Sequence, residues 1–321
     1  MNRKLCVTLA IIGMVGQAQA VDLFKLGNVL KTVQTAQQIK DAVAPNSGGI
    51  AIPGANLLSG GAAPAAAPAD AMQTLQQAKD ATTDISEGDE VELGKGIAGN
   101  LLGAAPLLND QSQQQYVNRV GRWVASQTER PELPWKFGVL DDDSINAFAV
   151  PGGYIFVTKG LMGKMKNEAE LAGVLAHEIA HVVQKHHLNA IKANARGNLF
   201  KSVTGTLLQR SSSNADVGRV MISGGTELLS RGLDKNDEFE ADRMGVVYAT
   251  RAGYDPYGLP AVLQSLQAIK GDATGSMALL FKTHPQLGTR LDALDAAMSP
   301  LERYSDQPNL QTRFASVLGK N

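Results

Sequence analysis

The segment Leu171 to Gln184, LAGVLAHEIAHVVQ, is a strong helix former that carries His177-Glu178-Ile179-Ala180-His181. Two histidines four apart on an α-helix stand about 40° apart, one turn above the other, so both imidazoles can reach one metal ion. This is a zinc-binding spacing. It outweighs a core helix with two incidental histidines in a chain that has only five His. Glu178 is placed to hold a water and take its proton, the general-base role in metal-assisted hydrolysis. A catalytic zinc takes three protein ligands and keeps one position open. Whatever fold the chain adopts must therefore bring a third ligand to this helix from elsewhere.

Asn236 to Asp242 (NDEFEAD) opens another helix, in which Glu238 and Asp242 share one face by the same four-residue spacing. Glu238 can ligate zinc while Asp242 accepts the free N–H of a ligand histidine. Glu240 lies about 200° round the helix from Glu238. The other reading of this cluster is a solvated acidic helix start favoured by the helix dipole, and the upstream histidine helix tips the balance towards ligation.

Around these two helices the chain has a legible order. Asp110 caps a helix with Tyr116, Val117, Val120 and Val124 on one face, ending before Pro131. Trp135 to Leu140 reads as a strand, and Ala147 to Val150 with Tyr154 to Thr158 reads as a hairpin folded at Pro151-Gly152-Gly153. From Asn167 onward helical patterns dominate, over residues 168–187, 188–208, 217–230, 236–251, 256–269 and 286–298. Arg210 to Asn214 interrupts them, and its serines lack the His/Asp context of a nucleophile.

The zinc helix, the E-F-x-A-D run at Glu238 to Asp242, and Ser144-Ile145-Asn146-Ala147-Phe148-Ala149-Val150-Pro151-Gly152-Gly153 together resemble the HtpX-like zinc metallopeptidases, which share a family with the CAAX prenyl proteases. The resemblance covers residues 86–298 and is strongest to an exported bacterial branch. It implies one Zn2+ on His177, His181 and Glu238, with Glu178 as base and Asp242 behind a ligand. It also implies that the strand around Asn146 to Ala149 borders the cleft, where an extended substrate can pair with an open edge. A plain structural sheet with a glycine turn is the bland reading of that hairpin. His284, in Thr283-His284-Pro285 and followed by Arg290, resembles the family's late His-Pro segment near the metal; from its own setting it reads as a surface histidine in a loop. A neutral His284 can take zinc's fourth position and hold the enzyme latent, whereas an imidazolium or N–H donor can stabilise the oxyanion. The resemblance favours latency.

The expected fold is α+β and predominantly helical, a gluzincin-type zincin core with a small sheet beside the zinc helix. Met1 to Ala20 reads as a signal peptide, with Arg3 and Lys4 before an apolar run from Leu5 to Gly16 and Ala18-Gln19-Ala20 as the cleavage site. That run is shorter than the ~20 residues that span a bilayer, and the chain's one cysteine, Cys6, leaves with it. Residues 21–85 form a Gly/Ala/Pro-rich arm with short helices expected at Val21 to Val43 and Asp70 to Thr83; residues 86–298 form the metallopeptidase domain, starting at the capping sequence Ser86 to Asp89, and residues 299–321 a tail. A formal charge of −1 argues against nucleic acid as a partner. The expected activity is zinc-dependent endopeptidase in the periplasm, acting on polypeptides; misfolded envelope or outer-membrane proteins come from the resemblance alone, and peripheral membrane association is compatible with it. Two rivals are a chaperone or assembly factor with little proteolysis and a zinc hydrolase of a non-protein envelope substrate. His186 and His187 fall at a helix end, His186 about 140° from the metal face, and are not expected as ligands. Gly94-Lys95-Gly96-Ile97-Ala98-Gly99 matches the dinucleotide glycine pattern but lacks its preceding strand and its later acidic residue.

Overall fold

The computed structural model describes residues 85–205, 225–227, 229, 231–269 and 275–319. The leader, the arm up to residue 84, the Arg210 to Asn214 break and most of the helix expected over 217–230 lie outside the described residues.

Local sequence accounts for most elements. Helix α1 (Glu87–Ala104) begins where the Ser86 Oγ accepts from the Asp89 N–H, with Glu87, Asp89 and Glu90 in its first turn, where acids suit the dipole. Helix α2 (Gln111–Ala125) is capped by Asp110 and buries Tyr116, Val117, Val120 and Val124. Three strands follow, β1 (Lys136–Leu140), β2 (Ala147–Val150) and β3 (Tyr154–Thr158). The expected hairpin forms, β2 antiparallel to β3, and its turn places Gly152 and Gly153 at positive φ. β1 pairs parallel to β3 on the other side, so β3 is central and β2 stands at one edge.

Beyond the sheet come α3 (Lys159–Lys164), α4 (Glu168–Val183), α5 (His186–Gly205), α6 (Lys235–Arg251), α7 (Gly258–Gln267), α8 (Ala278–Thr283), α9 (Leu287–Met298), a 3-10 turn (Ser299–Tyr304) and α10 (Gln311–Val317). The described chain is mostly helical with one small sheet. No helix among the described residues is long and apolar enough to cross a membrane. Every residue of α4 from Glu168 to Val182 is buried; a helix covered on all sides is the centre of a core rather than its lid. It packs on α6, α7, α2 and β2. The sheet alternates its side chains: Ala147, Ala149, Ile155 and Val157 join the α4 core, while Phe148, Val150 and Phe156 meet Leu93, Ile97 and Ile191 on the opposite face. The C-terminal segment folds back onto the core through Phe314, which is buried near Tyr116, and through the ion pair of Arg313 with Glu168.

One expectation needs correction. The boundary expected between the helices read over 168–187 and 188–208 falls earlier, because α4 ends at Val183 and Lys185 adopts φ 60° before α5 starts at His186. A left-handed residue costs about 1–2 kcal/mol outside glycine, and a lysine there gives the sequence no visible stop.

The hairpin turn is fastened to α1. Glu90, fully buried, accepts from the Gly152 N–H at 3.0 Å and from both terminal nitrogens of Arg130 at 3.1 and 2.8 Å. Gly94 packs so tightly on the turn that a Cβ would lie 1.8 Å from the Pro151 carbonyl oxygen. The first glycine of the dinucleotide-like pattern is therefore a packing residue. Glu90→Ala leaves Arg130 and the Gly152 N–H without this partner, and breaking a buried pair costs about 3–5 kcal/mol. The expected outcome is a urea midpoint lowered accordingly, with the slope of the transition unchanged.

Candidate metal centre

Helix α6 crosses α4 at Gly245, where a Cβ would come within 2.9 Å of the His177 backbone nitrogen. Glu238, Asp242 and Gly245 lie on one face of α6 at positions i, i+4 and i+7, so the contact that Gly245 permits also delivers the two acids to the histidines of α4. A second contribution comes from the end of α8. His284 caps that helix, its N–H bonded to the Leu280 carbonyl at 2.7 Å, and is buried.

Four donors converge here. One ligand atom each from His177, His181, Glu238 and His284 lies within 4.8 Å of the other three. The Nε2 atoms of His177 and His181 face each other at 3.1 Å, and the Glu238 carboxylate stands 3.7 and 3.5 Å from them. His284 Nδ1 is 3.1 Å from Glu238 Oε2. Imidazole nitrogens do not choose one another when better partners exist; two of them converging on a carboxylate form a set of lone pairs suited to a divalent cation. The outer atoms fix this orientation. His177 Nδ1 lies 3.0 Å from Asp242 Oδ1, so its proton sits there and its Nε2 lone pair points inward. Asp242 is held by Arg290 through two bonds of 2.8 and 2.6 Å, and Arg290 Nη1 also reaches Glu238 at 3.0 Å.

The buried charges set one another's protonation. Burial acts to raise the Glu238 carboxyl, but the positive charges of His284 and Arg290 win and hold it at about 2. Burial likewise opposes ionisation of Asp242, and Arg290 overcomes it, leaving this carboxyl well below its usual range. His284 would be lowered by burial, yet Glu238 and Glu178 lift it to about 9. His181 is pushed far down by burial and the other histidines. Glu178 goes the other way from its neighbours, raised by burial, which outweighs His284 and His177. Its Oε2 has no hydrogen-bond partner, while its Oε1 stands 3.7 Å from His284 Nε2. Beside it an apolar cavity of about 40 Å³ is walled by Leu161, Val174, Val262 and Leu263. Asn146, immediately before β2, accepts from the Thr283 hydroxyl at 3.2 Å and keeps its buried Nδ2 unpartnered.

The sequence-derived residues thus meet at one place: His177, His181 and Glu238 with Glu178 alongside and Asp242 behind His177. The surface setting read for His284 from its own residues is overturned, because α8 turns it inward. Glu240 points away from the four donors, towards His186. Neither His186 nor His187 belongs to the donor set. The role of Arg290 was invisible in the spacing, since one basic residue on an amphipathic helix carries no signal of the two acids it will meet.

Peptidase family M48 matches residues 111–298. The chain is 33% identical over 204 residues to the beta-barrel assembly-enhancing protease of Escherichia coli (strain K12), covering 62% of this chain and 42% of that protein. Identity to the Yersinia pestis protein of the same name is 32% over 258 residues, 78% of this chain and 52% of the relative. The mitochondrial metalloendopeptidase OMA1 of Arabidopsis thaliana is 29% identical over 179 residues, 56% and 35% of the two chains. The chain spans about half the length, or less, of these relatives.

If the donor set holds an ion, Glu238→Ala loses most bound divalent metal, and Asp242→Ala weakens it by about 10–100-fold through the freed imidazole. Gly245→Leu drives α6 off His177 and empties the site without touching a donor. Elemental analysis after dialysis against a chelator checks all three.

Proposed function

The chain belongs to peptidase family M48, and on that premise we propose that it is a zinc-dependent endopeptidase whose fold is a gluzincin-type zincin spanning residues 86–298. The observation that carries this reading is the convergence of His177, His181 and Glu238 next to a buried carboxylate, Glu178, with a free oxygen. Bound by those three donors, zinc supplies Lewis-acid polarisation of the scissile carbonyl and acidifies a water. Glu178 takes the proton of the attacking water on its unpartnered Oε2 and returns it to the leaving amine. Burial helps both halves of that task, since a carboxyl raised above its usual pKa gives a proton as well as it takes one. Arg290 keeps Glu238 and Asp242 ionised and in place.

Peptide is favoured as substrate by β2. An extended chain can add to this sheet edge through its main chain, beside the helix that bears Glu178. The cavity next to Glu178 suits a small aliphatic side chain, since about 10–15 Å³ holds one water-sized group. Two relatives are named as beta-barrel assembly-enhancing proteases, which supports polypeptides of the bacterial envelope, misfolded or misassembled, as the substrate class. Periplasmic location rests on the leader read at Met1 to Ala20, because other relatives are named as mitochondrial. For His284 the latent role is favoured: a divalent ion held by the other three donors would displace the proton that Glu238 and Glu178 keep on this ring, and the freed imidazole nitrogen, already among the four donors, would then take the place of water and substrate.

Glu178→Gln is expected to lower casein hydrolysis by at least about 10²-fold, the usual worth of a general base, while zinc stays near one per chain. His284→Ala is expected to raise peptidase rate or self-cleavage at matched zinc content. A fall in kcat of about 10²–10³-fold would instead assign His284 to the oxyanion.

A further inference from the structure

His186 is not one of the four donors, yet it touches one of them. The Nδ1 atoms of His181 and His186 are 3.0 Å apart, and both rings are buried. On the far side, His186 Nε2 lies 3.4 Å from Glu240 Oε2 and 3.7 Å from Asp237 Oδ1. The left-handed Lys185 makes this contact: on an uninterrupted helix a residue five after His181 would point about 140° away.

Hydrogen-bond polarity along this chain has one consistent solution. His181 uses Nε2 towards the cluster, so in the neutral ring its proton is on Nδ1. His186 Nδ1 must then accept, which puts the His186 proton on Nε2, facing two carboxylates that can only accept. We infer that His186 is a positioning residue: it fixes the tautomer and ring angle of His181, and Glu240 and Asp237 fix those of His186 in turn. The inference rests on the reading of His181 as a metal ligand. The two α4 histidines are thereby held by unlike means. His177 leans on an ionised carboxylate clamped by Arg290, whereas His181 leans on a second imidazole whose carboxylate partners lie partly in solvent. His181 is the less firmly anchored ligand, and its support reaches the surface.

The test is zinc affinity of the full chain by competition with a chromophoric chelator, together with the absorption spectrum of the cobalt(II)-substituted protein. His186→Phe fills the space without an acceptor and is expected to weaken zinc by about 10–100-fold and to shift the cobalt bands. His186→Gln offers an amide oxygen to the His181 Nδ1–H and recovers most of that loss. The double variant Asp237→Asn/Glu240→Gln, confined to partly exposed side chains, lowers affinity in the same direction by a smaller factor. His186→Phe binding zinc as wild type does with unchanged cobalt bands overturns the assignment, and so does His186→Gln behaving no better than His186→Phe. If the buried variants do not fold, unaltered affinity in the double variant overturns it as well. His181→Ala separates the two levels: undiminished zinc binding there removes the ligand reading itself, whereas its loss alongside a wild-type His186→Phe removes the relay alone.

Discussion

The centre depends on one backbone contact, the approach of α6 to α4 at Gly245. Metal ligands tolerate errors of only about 0.2 Å, and a single Cβ at Gly245 would sit 2.9 Å from the His177 nitrogen, tight enough to push the helices apart by more than that. The same face of α6 carries Glu238 about two turns away and Asp242 in between, so separation at the glycine would move both acids together. Packing and chemistry are one constraint here: the closeness that fills the core around α4 is the closeness that completes the donor set.

Electrostatics impose the second condition. Glu178, Glu238 and Asp242 are all buried, and stripping three carboxylates of water is tolerable only if partners are fixed in advance. Arg290, itself buried, answers two of them and His284 stands between the third and Glu238. The result is unequal treatment of similar groups. Glu238 and Asp242 are held ionised, whereas Glu178, with an oxygen left free, is the one whose proton affinity rises. A site that must keep some carboxylates permanently charged and let one exchange a proton needs that inequality.

How much of this was readable in the chain follows from what is local. The His177 to His181 spacing, the Glu238 to Asp242 spacing, the caps at Ser86 and Asp110 and the glycine turn of the hairpin are all short-range geometry, and each stands where the sequence put it. The break between α4 and α5 was read a few residues late because the left-handed conformation at Lys185 is not marked by a glycine. Helices α8 and α10 are 6 and 7 residues long, too short for a helical repeat of apolar residues to show. Arg290 and the contact of His186 with His181 are tertiary facts. Residues that are polar but unremarkable in sequence acquire their meaning only when another element arrives against them.

The cluster also draws on parts of the chain more than a hundred residues apart, from His177 on α4 to His284 at the end of α8 and Arg290 on α9. Contacts of such separation close late, because the loop entropy between them has to be met first. During synthesis α4 and α6 emerge well before α9, and in that interval Glu238 and Asp242 have no guanidinium to balance them. Their helices therefore gain little by docking face to face until α9 is present. The order of the residues along the polypeptide acts as a timer, because the cation that permits the centre to close leaves the ribosome after both acids that it balances.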